Sequence, residues 1–116
     1  MPFAPAPVGD YPHGMYCGGN QLIDEGHLEA SAVDIVVVDP SGYPLPARVQ
    51  VQVVGRDDII LDRQVDEHGR LKMRSLPSGE YWLGISSRGF NLHYWRLSKS
   101  RKHPKKVLRV TLSFGT

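Results

Sequence analysis

Five histidines and one cysteine are the residues of this sequence best suited to bind a metal ion. Zinc sites usually pair their ligands at short spacing, as in Cys-x₂-Cys or His-x₃₋₅-His. Only His13 and Cys17 lie as close as four residues apart. The remaining histidines are scattered along the chain, at positions His27, His68, His93 and His103. The spacing therefore predicts turn or surface histidines and no metal site, and a lone thiol excludes an internal disulfide.

Catalytic motifs are also absent from the sequence. It contains no G-x-S-x-G elbow, no H-E-x-x-H motif and no phosphate-binding loop. Ser86, Ser87 and Ser98 have only His93 as a nearby imidazole. The acidic residues between positions 57 and 67 lack the alternating oxygen ligands and central glycine of an EF-hand loop. We therefore predict no catalytic residue and no cofactor.

A basic run is the first of two candidate contact surfaces. It places five cations within eight residues: Lys99, Arg101, Lys102, Lys105 and Lys106. The run lies between two predicted strands, so we expect an exposed loop that could bind phosphate, an anionic glycan or an acidic partner. The alternative is a solvated connection, or one balanced by the acidic N-terminal arm. Residues 1–55 carry six acids against Arg48 alone, whereas residues 56–116 carry 13 basic residues against six acids.

Aromatic side chains form the second candidate surface. Trp82 has the opposite parity to Tyr81 and Leu83, so in a strand it points away from the main core. Either Tyr94 or Trp95 must also point outward, because adjacent strand residues face opposite sides. An exposed indole beside a phenol makes a flat platform on which sugars could stack. In the alternative interpretation, the N-terminal arm covers these rings.

The elements that position these residues are short strands. Twelve glycines and nine prolines favour many turns and leave little room for long helices. Alternating apolar and polar residues predict seven strands, and this spacing is typical of an all-β protein, an antiparallel β-sandwich. The first begins at Val33, the next five include Val49–Val53, Ile59–Val65, Leu71–Met73, Tyr81–Ile85 and Leu92–Leu97, and the last covers Leu108–Phe114.

The chain divides into two parts. We interpret residues 1–31 as an irregular N-terminal arm, with a short turn of helix near Asp24–Glu29, and residues 32–116 as the sandwich. The first seven residues have neither the basic nor the apolar region of a signal peptide. The longest apolar run, Ile35–Val38, is far too short to span a bilayer.

Three turn motifs carry a family resemblance. They are Val38–Ala47 (VDPSGYPLPA), Asp66–Leu71 (DEHGRL) and Leu76–Tyr81 (LPSGEY). In this order they resemble the carboxypeptidase regulatory-like and collagen-adhesin B-type domains, a group of transthyretin-like sandwiches. The resemblance implies a seven-stranded antiparallel sandwich with transthyretin-like Greek-key topology. Members of this group mostly act as structural, stalk or accessory modules in secreted and envelope proteins.

The resemblance implies a non-enzymatic structural or protein-interaction module of a secreted, periplasmic or cell-envelope protein. The alternative is a carbohydrate-binding module that uses the aromatic residues. A third hypothesis is a transthyretin-like hydrolase, but those enzymes open with H-V-L-D, and Val36 stands here in place of the histidine. We expect a protein, carbohydrate or polyanion partner rather than nucleic acid. A homodimer formed through edge strands is a further alternative, since edge strands can pair between copies.

Overall fold

The strands that the sequence predicted form two sheets, and an additional strand precedes them. The computed structural model describes Pro12, Gly14, Met15 and residues 21–73 and 76–115. Within these residues the fold is all-β and contains no helix. The strands are β1 (Leu22–Ala30), β2 (Val33–Val38), β3 (Arg48–Val53), β4 (Ile59–Gln64), β5 (Arg70–Met73), β6 (Gly79–Ser86), β7 (Leu92–Lys99) and β8 (Lys106–Thr111).

The two sheets differ in size. The larger has five strands in the order β1-β7-β6-β3-β4, and the smaller has three in the order β5-β2-β8. Most neighbouring strands run antiparallel, as predicted. Two pairs, β1 with β7 and β2 with β8, run parallel. The prediction of a purely antiparallel sandwich is therefore wrong at these two pairs, which join strands far apart in the chain.

The main core lies between the sheets and follows the predicted alternation. Val49 and Val51 on β3 are fully buried, and the flanking Arg48 and Gln50 belong to the opposite face. Full burial of such side chains stabilises the fold by about 1.5–3 kcal/mol each. The core residues that are at most 2% exposed are Ala30, Val33, Ile35, Val37, Val49, Val51, Leu83, Ile85, Leu97, Val110 and Leu112.

A β-bulge explains why the sequence did not reveal β1. Before the bulge Ile23 pairs with His93, and after it Leu28 pairs with Leu97. The residues that face the core therefore have odd numbers before the bulge and even numbers after it. Across the whole strand the sequence shows no continuous alternation of apolar and polar residues. Gly26 lies in the bulge with φ of 97°. The predicted helical turn at 24–29 is wrong, and so is the predicted irregular arm at residues 22–30, which form β1.

The turn between β2 and β3 is held by its own aspartate. The Asp39 Oδ1 accepts hydrogen bonds from the backbone N–H groups of Ser41 and Tyr43, at 2.9 and 3.0 Å. The N–H of Gly42 donates to the Asp39 carbonyl at 2.9 Å. The sequence Asp-x-x-Gly therefore predicts this turn, because the aspartate carboxylate accepts hydrogen bonds from the backbone amides of the turn.

The turn before β5 repeats this geometry. The Asp66 Oδ1 accepts from the N–H groups of Arg70 and His68, each at 2.9 Å. These hydrogen bonds, that from Arg70 above all, hold the pKa of Asp66 below its usual range. Gly69 has φ of 75°, and a Cβ there would lie 2.5 Å from the carbonyl oxygen of Val37. Only glycine fits this close approach.

The C-terminal segment crosses from the small sheet to the large one. The Leu112 N–H still donates to Val38 of β2, at 3.1 Å. From Ser113 onward the chain follows residues 89–91, with the N–H of Asn91 donating to the Ser113 carbonyl at 2.9 Å. The rings of Phe90 and Phe114 stack with centroids 4.9 Å apart. The last predicted strand is thus split, because β8 ends at Thr111 and the following residues close one end of the sandwich.

Candidate functional site

The predicted aromatic surface points outward but is not exposed. Trp82 and Tyr94 lie on the outer face of the large sheet, as predicted for Trp82, whereas Trp95 faces the main core. Trp82 is 5% and Tyr94 8% exposed. The predicted exposure is therefore wrong, and these rings do not form an open stacking platform.

A second apolar cluster buries these rings. We call it the outer cluster; it comprises Trp82, Leu92 and Tyr94, with Met15 and Val54 packed against it. The two rings meet edge to face, with centroids 5.7 Å apart. Burial, together with the nearby charge of Asp24, raises the pKa of the Tyr94 hydroxyl.

Met15 reaches the outer cluster across a glycine. A Cβ at Gly84 would overlap the sulfur of Met15 and would lie 3.6 Å from Leu92 Cδ2. The thioether therefore fills the space that a side chain at position 84 would occupy. This contact supports the alternative that the N-terminal part of the chain covers the aromatic face.

The basic run forms a loop between two strands, as predicted. Lys99 ends β7 and Lys106 begins β8, while Arg101, Lys102 and Lys105 are exposed between them. The Ser31 N–H donates to the Pro104 carbonyl at 3.1 Å, which ties the loop to the β1–β2 connection.

One acid of the N-terminal half approaches the basic loop. Glu29 Oε2 lies 3.9 Å from His103 Nδ1. The lysine and arginine side chains of the loop are exposed at positions 101, 102, 105 and 106. Within the described residues, the contact between an acid of the predicted N-terminal arm and this loop is therefore that of Glu29 with His103.

The outer face of the small sheet continues this positive surface. Arg70, Val36 and Arg109 are direct cross-strand neighbours, and Lys72, Asp34 and Val107 form the adjacent row. We call these six residues the cationic face. Neighbouring strands lie about 4.8 Å apart, so Arg70 and Arg109 stand about 10 Å apart on either side of Val36. Val107 is 74% exposed.

Described residues line two surface cavities. One, of about 270 Å³, lies on the cationic face and is lined by Asp34, Ile35, Val36, Arg70, Leu71, Lys72 and Val107. The other, of about 320 Å³, is lined by Pro46, Ala47, Arg48, Gln64, Ser86, Ser87 and Arg88. In the larger cavity the Arg48 guanidinium pairs with the Asp62 carboxylate and lowers the pKa of that carboxyl. The positive charge of Arg48 is therefore already balanced by Asp62.

The prediction of turn or surface histidines is wrong at His93, which is buried in β7 and forms a polar network. His93 is 4% exposed, and its Nδ1 lies 2.6 Å from Glu25 Oε1. The backbone N–H of Ser113 donates to His93 Nε2 at 3.0 Å, which places the ring proton on Nδ1. The Ser113 Oγ lies 2.9 Å from the same Nε2, and Asn91 Nδ2 donates to that Oγ at 3.0 Å.

The order of these groups is that of a serine–imidazole–carboxylate relay. Here, however, Nε2 also accepts the N–H of Ser113, so its lone pair is shared between two donors. Both cavities described above are lined by other residues. We interpret the network as a latch that fixes the C-terminal segment to β7. Sequence spacing could not reveal it, because Glu25 and His93 are 68 residues apart.

No family model matches the chain, and no curated protein matches it. In the described part of the chain, no three His, Cys, Asp or Glu side chains gather as metal ligands. The same residues include no helix long and apolar enough to cross a membrane.

Proposed function

We propose that this domain is a non-enzymatic protein-interaction module of a secreted or cell-envelope protein and that it binds an acidic partner through its cationic face. The supporting feature is the arrangement of Arg70, Lys72 and Arg109 around two apolar side chains, on a sheet face that no other described strand covers. The sugar-binding alternative lacks this kind of support, since its aromatic residues are buried.

The chemistry of the face suits a partner that combines acidic and apolar groups. Arginine forms paired hydrogen bonds with carboxylates and is enriched in protein interfaces. Val107 offers apolar area at the edge of the cavity of about 270 Å³. The single acid of the face, Asp34, leaves an excess of two positive charges among Arg70, Lys72 and Arg109. Such an excess steers acidic partners toward the surface.

The turn motifs support the proposed type of module. The Asp39 and Asp66 turns adopt one geometry, and they belong to the segments that resemble carboxypeptidase regulatory-like domains. The sheet orders β5-β2-β8 and β7-β6-β3-β4 are compatible with a transthyretin-like arrangement, to which β1 adds an outer strand. Membership of that group and export from the cell are parts of the proposal.

The test is a binding titration with an acidic peptide. We would use a blocked ten-residue peptide that alternates Glu and Val, follow binding by fluorescence anisotropy, and repeat it at several salt concentrations. The triple variant Arg70→Gln, Lys72→Gln, Arg109→Gln should weaken binding at least about tenfold, because each charge-assisted hydrogen bond contributes about 1.5–3 kcal/mol.

A matched control removes the same charge elsewhere. The variant Arg56→Gln, Arg63→Gln, Arg88→Gln lowers the net charge equally but leaves the cationic face intact. We expect it to bind within about twofold of the natural protein, as changes in distant surface charge mainly affect steering. Equal losses in both variants would show that only net charge matters and would refute the proposal. Tighter binding of a sulfated oligosaccharide than of the peptide would refute a protein partner.

A further inference from the structure

The free edge of the small sheet lies beside the cationic face. β8 is the last strand in the order β5-β2-β8, and no other described strand pairs with its outer side. Exposed edge strands are templates for an added strand unless something blocks them. Building on the proposed function, we infer that the acidic partner binds as an extra β-strand along β8.

The hydrogen-bond parity shows which backbone groups are free to receive such a strand. The Lys106 N–H donates to the Ala32 carbonyl at 2.9 Å and the Leu112 N–H donates to Val38 at 3.1 Å. Even-numbered residues of β8 therefore direct their backbone groups to β2 in the parallel ladder. The N–H and C=O groups of Val107, Arg109 and Thr111 consequently point to the open edge, where they can pair with a partner strand.

Side chains next to this edge define the partner sequence. Arg109 is exposed on the outer face and Lys105 is exposed just before β8, so the partner residues beside them would be acidic. On the other side of the strand, Leu108 is half-buried and packs against the main core. A partner strand would place apolar residues on that side. The edge thus fits an extended segment that alternates acidic and apolar residues.

The same charges disfavour the pairing of two copies through this edge. A second β8 would bring its own Lys105, Lys106 and Arg109 close to those of the first. Like charges on paired strands destabilise the pairing. Lysines on edge strands are a common protection against self-association. An acidic segment would place negative charges beside these cations. This charge complementarity favours an acidic partner strand over a second copy of the chain.

The experiment uses the alternating Glu-Val peptide and amide hydrogen exchange measured by NMR. Bound peptide should slow exchange at Val107, Arg109 and Thr111 at least about tenfold, because these amides acquire hydrogen bonds. The amides of Leu108 and Val110 serve as internal controls, since they already pair with β2. Exchange that stays unchanged at the three edge amides while the peptide is bound would overturn the inference.

A proline substitution gives a second readout. Val107→Pro removes an N–H that faces the open edge and leaves the β2 ladder intact, which is the position that strands tolerate for proline. We expect Val107→Pro to bind the peptide about tenfold more weakly than Val107→Thr, which loses the same valine side chain but keeps the N–H. Equal affinities of the two variants would overturn strand addition.

The outcomes separate this inference from the proposed function. Absence of peptide binding to the natural protein would refute both. Binding that needs Arg70, Lys72 and Arg109 but leaves the edge amides unprotected would refute strand addition alone. Protection that grows with protein concentration in the absence of peptide would identify a second copy as the occupant, and it would also overturn the inference.

Discussion

The two outer faces of the sandwich are built by the same alternation but meet different surroundings. On the large sheet, outward residues such as Trp82, Leu92 and Tyr94 are at most 8% exposed, and Met15 packs against them. On the small sheet, the outward Val107 is 74% exposed among cations. Strand parity therefore shows which side chains point away from the main core, but it does not show whether another part of the chain covers them.

The residue types on each face fit these surroundings. The covered face contains Gly84, whose missing side chain leaves room for the Met15 thioether. The face of the small sheet instead carries Arg70, Lys72 and Arg109, whose side chains are exposed to solvent. The covered face thus behaves as a second, smaller core, whereas the face of the small sheet is exposed to solvent in the described part of the chain. The four predictions below test this contrast.

The largest effect is expected for Leu92→Ala. Leu92 is fully buried in the outer cluster, so its truncation removes apolar contacts and leaves a cavity. We expect the free energy of unfolding to fall by about 3 kcal/mol, measured by denaturant titration. A loss below about 1 kcal/mol would mean that the covered face is loosely packed and that the contrast with the open face is small.

Gly84→Ala should have the next largest effect. The new methyl group overlaps the sulfur of Met15, so this side chain has to move away. Overpacking of this kind costs about 1–2 kcal/mol. In a Met15→Ala background the same substitution should cost much less, and a double-mutant cycle would measure that coupling. Purely additive effects would show that Met15 does not cover Gly84 in solution.

Alkaline pH should affect the covered face through Tyr94. Its pKa is raised, first by burial and then by Asp24, so the folded state favours the neutral phenol. A raised pKa stabilises the protein fully below the unfolded value of about 10, and this stability is lost as the pH rises above it. The melting temperature should therefore fall less steeply from pH 9 to 11 in Tyr94→Phe. Identical slopes in both proteins would contradict this assignment.

Tyr81 should also contribute to the loss of stability at alkaline pH, in the natural protein and in Tyr94→Phe alike. Burial also raises the pKa of Tyr81, whose hydroxyl donates to the Pro77 carbonyl at 2.6 Å. Tyr94→Phe should therefore reduce the alkaline loss without abolishing it.

The smallest effect is expected on the open face. Val107→Ala removes methyl groups that already contact water, so the free energy of unfolding should change by less than about 0.5 kcal/mol. The same denaturant titration as for Leu92→Ala makes the two faces directly comparable. A loss of more than 1 kcal/mol would show that Val107 is covered in solution, for example by residues outside the described part of the chain.

Much of the fold could be predicted because its signals are local. Val49 and Val51 alternate with polar residues, and Asp39 and Asp66 form the turns that their spacing indicated. The strand β1 was not predicted, because the bulge at Gly26 reverses which of its residues face the core.

The candidate surfaces were less predictable because they depend on distant contacts. Parity gave the direction of Trp82, but its burial depends on Met15, which lies far away in the chain. The latch around His93 joins three elements at separations of 68 and 20 residues. The basic loop was predictable, since exposed charge between two strands needs no distant partner. The cationic face required the register of β2, β5 and β8.

The latch also has a consequence for how the domain is held and presented. The Gln21 N–H donates to Asn91 Oδ1, and the Gly115 N–H donates to the Gly89 carbonyl, so Gln21 and Gly115 lie at the same pole of the sandwich, where β7 begins. The basic loop follows the far end of β7, whose eight residues span about 26 Å at about 3.3 Å per residue. A tether joined at Gln21 or Gly115 would therefore leave Arg101 and Lys102 at the opposite pole, clear of the attachment and accessible to an approaching partner.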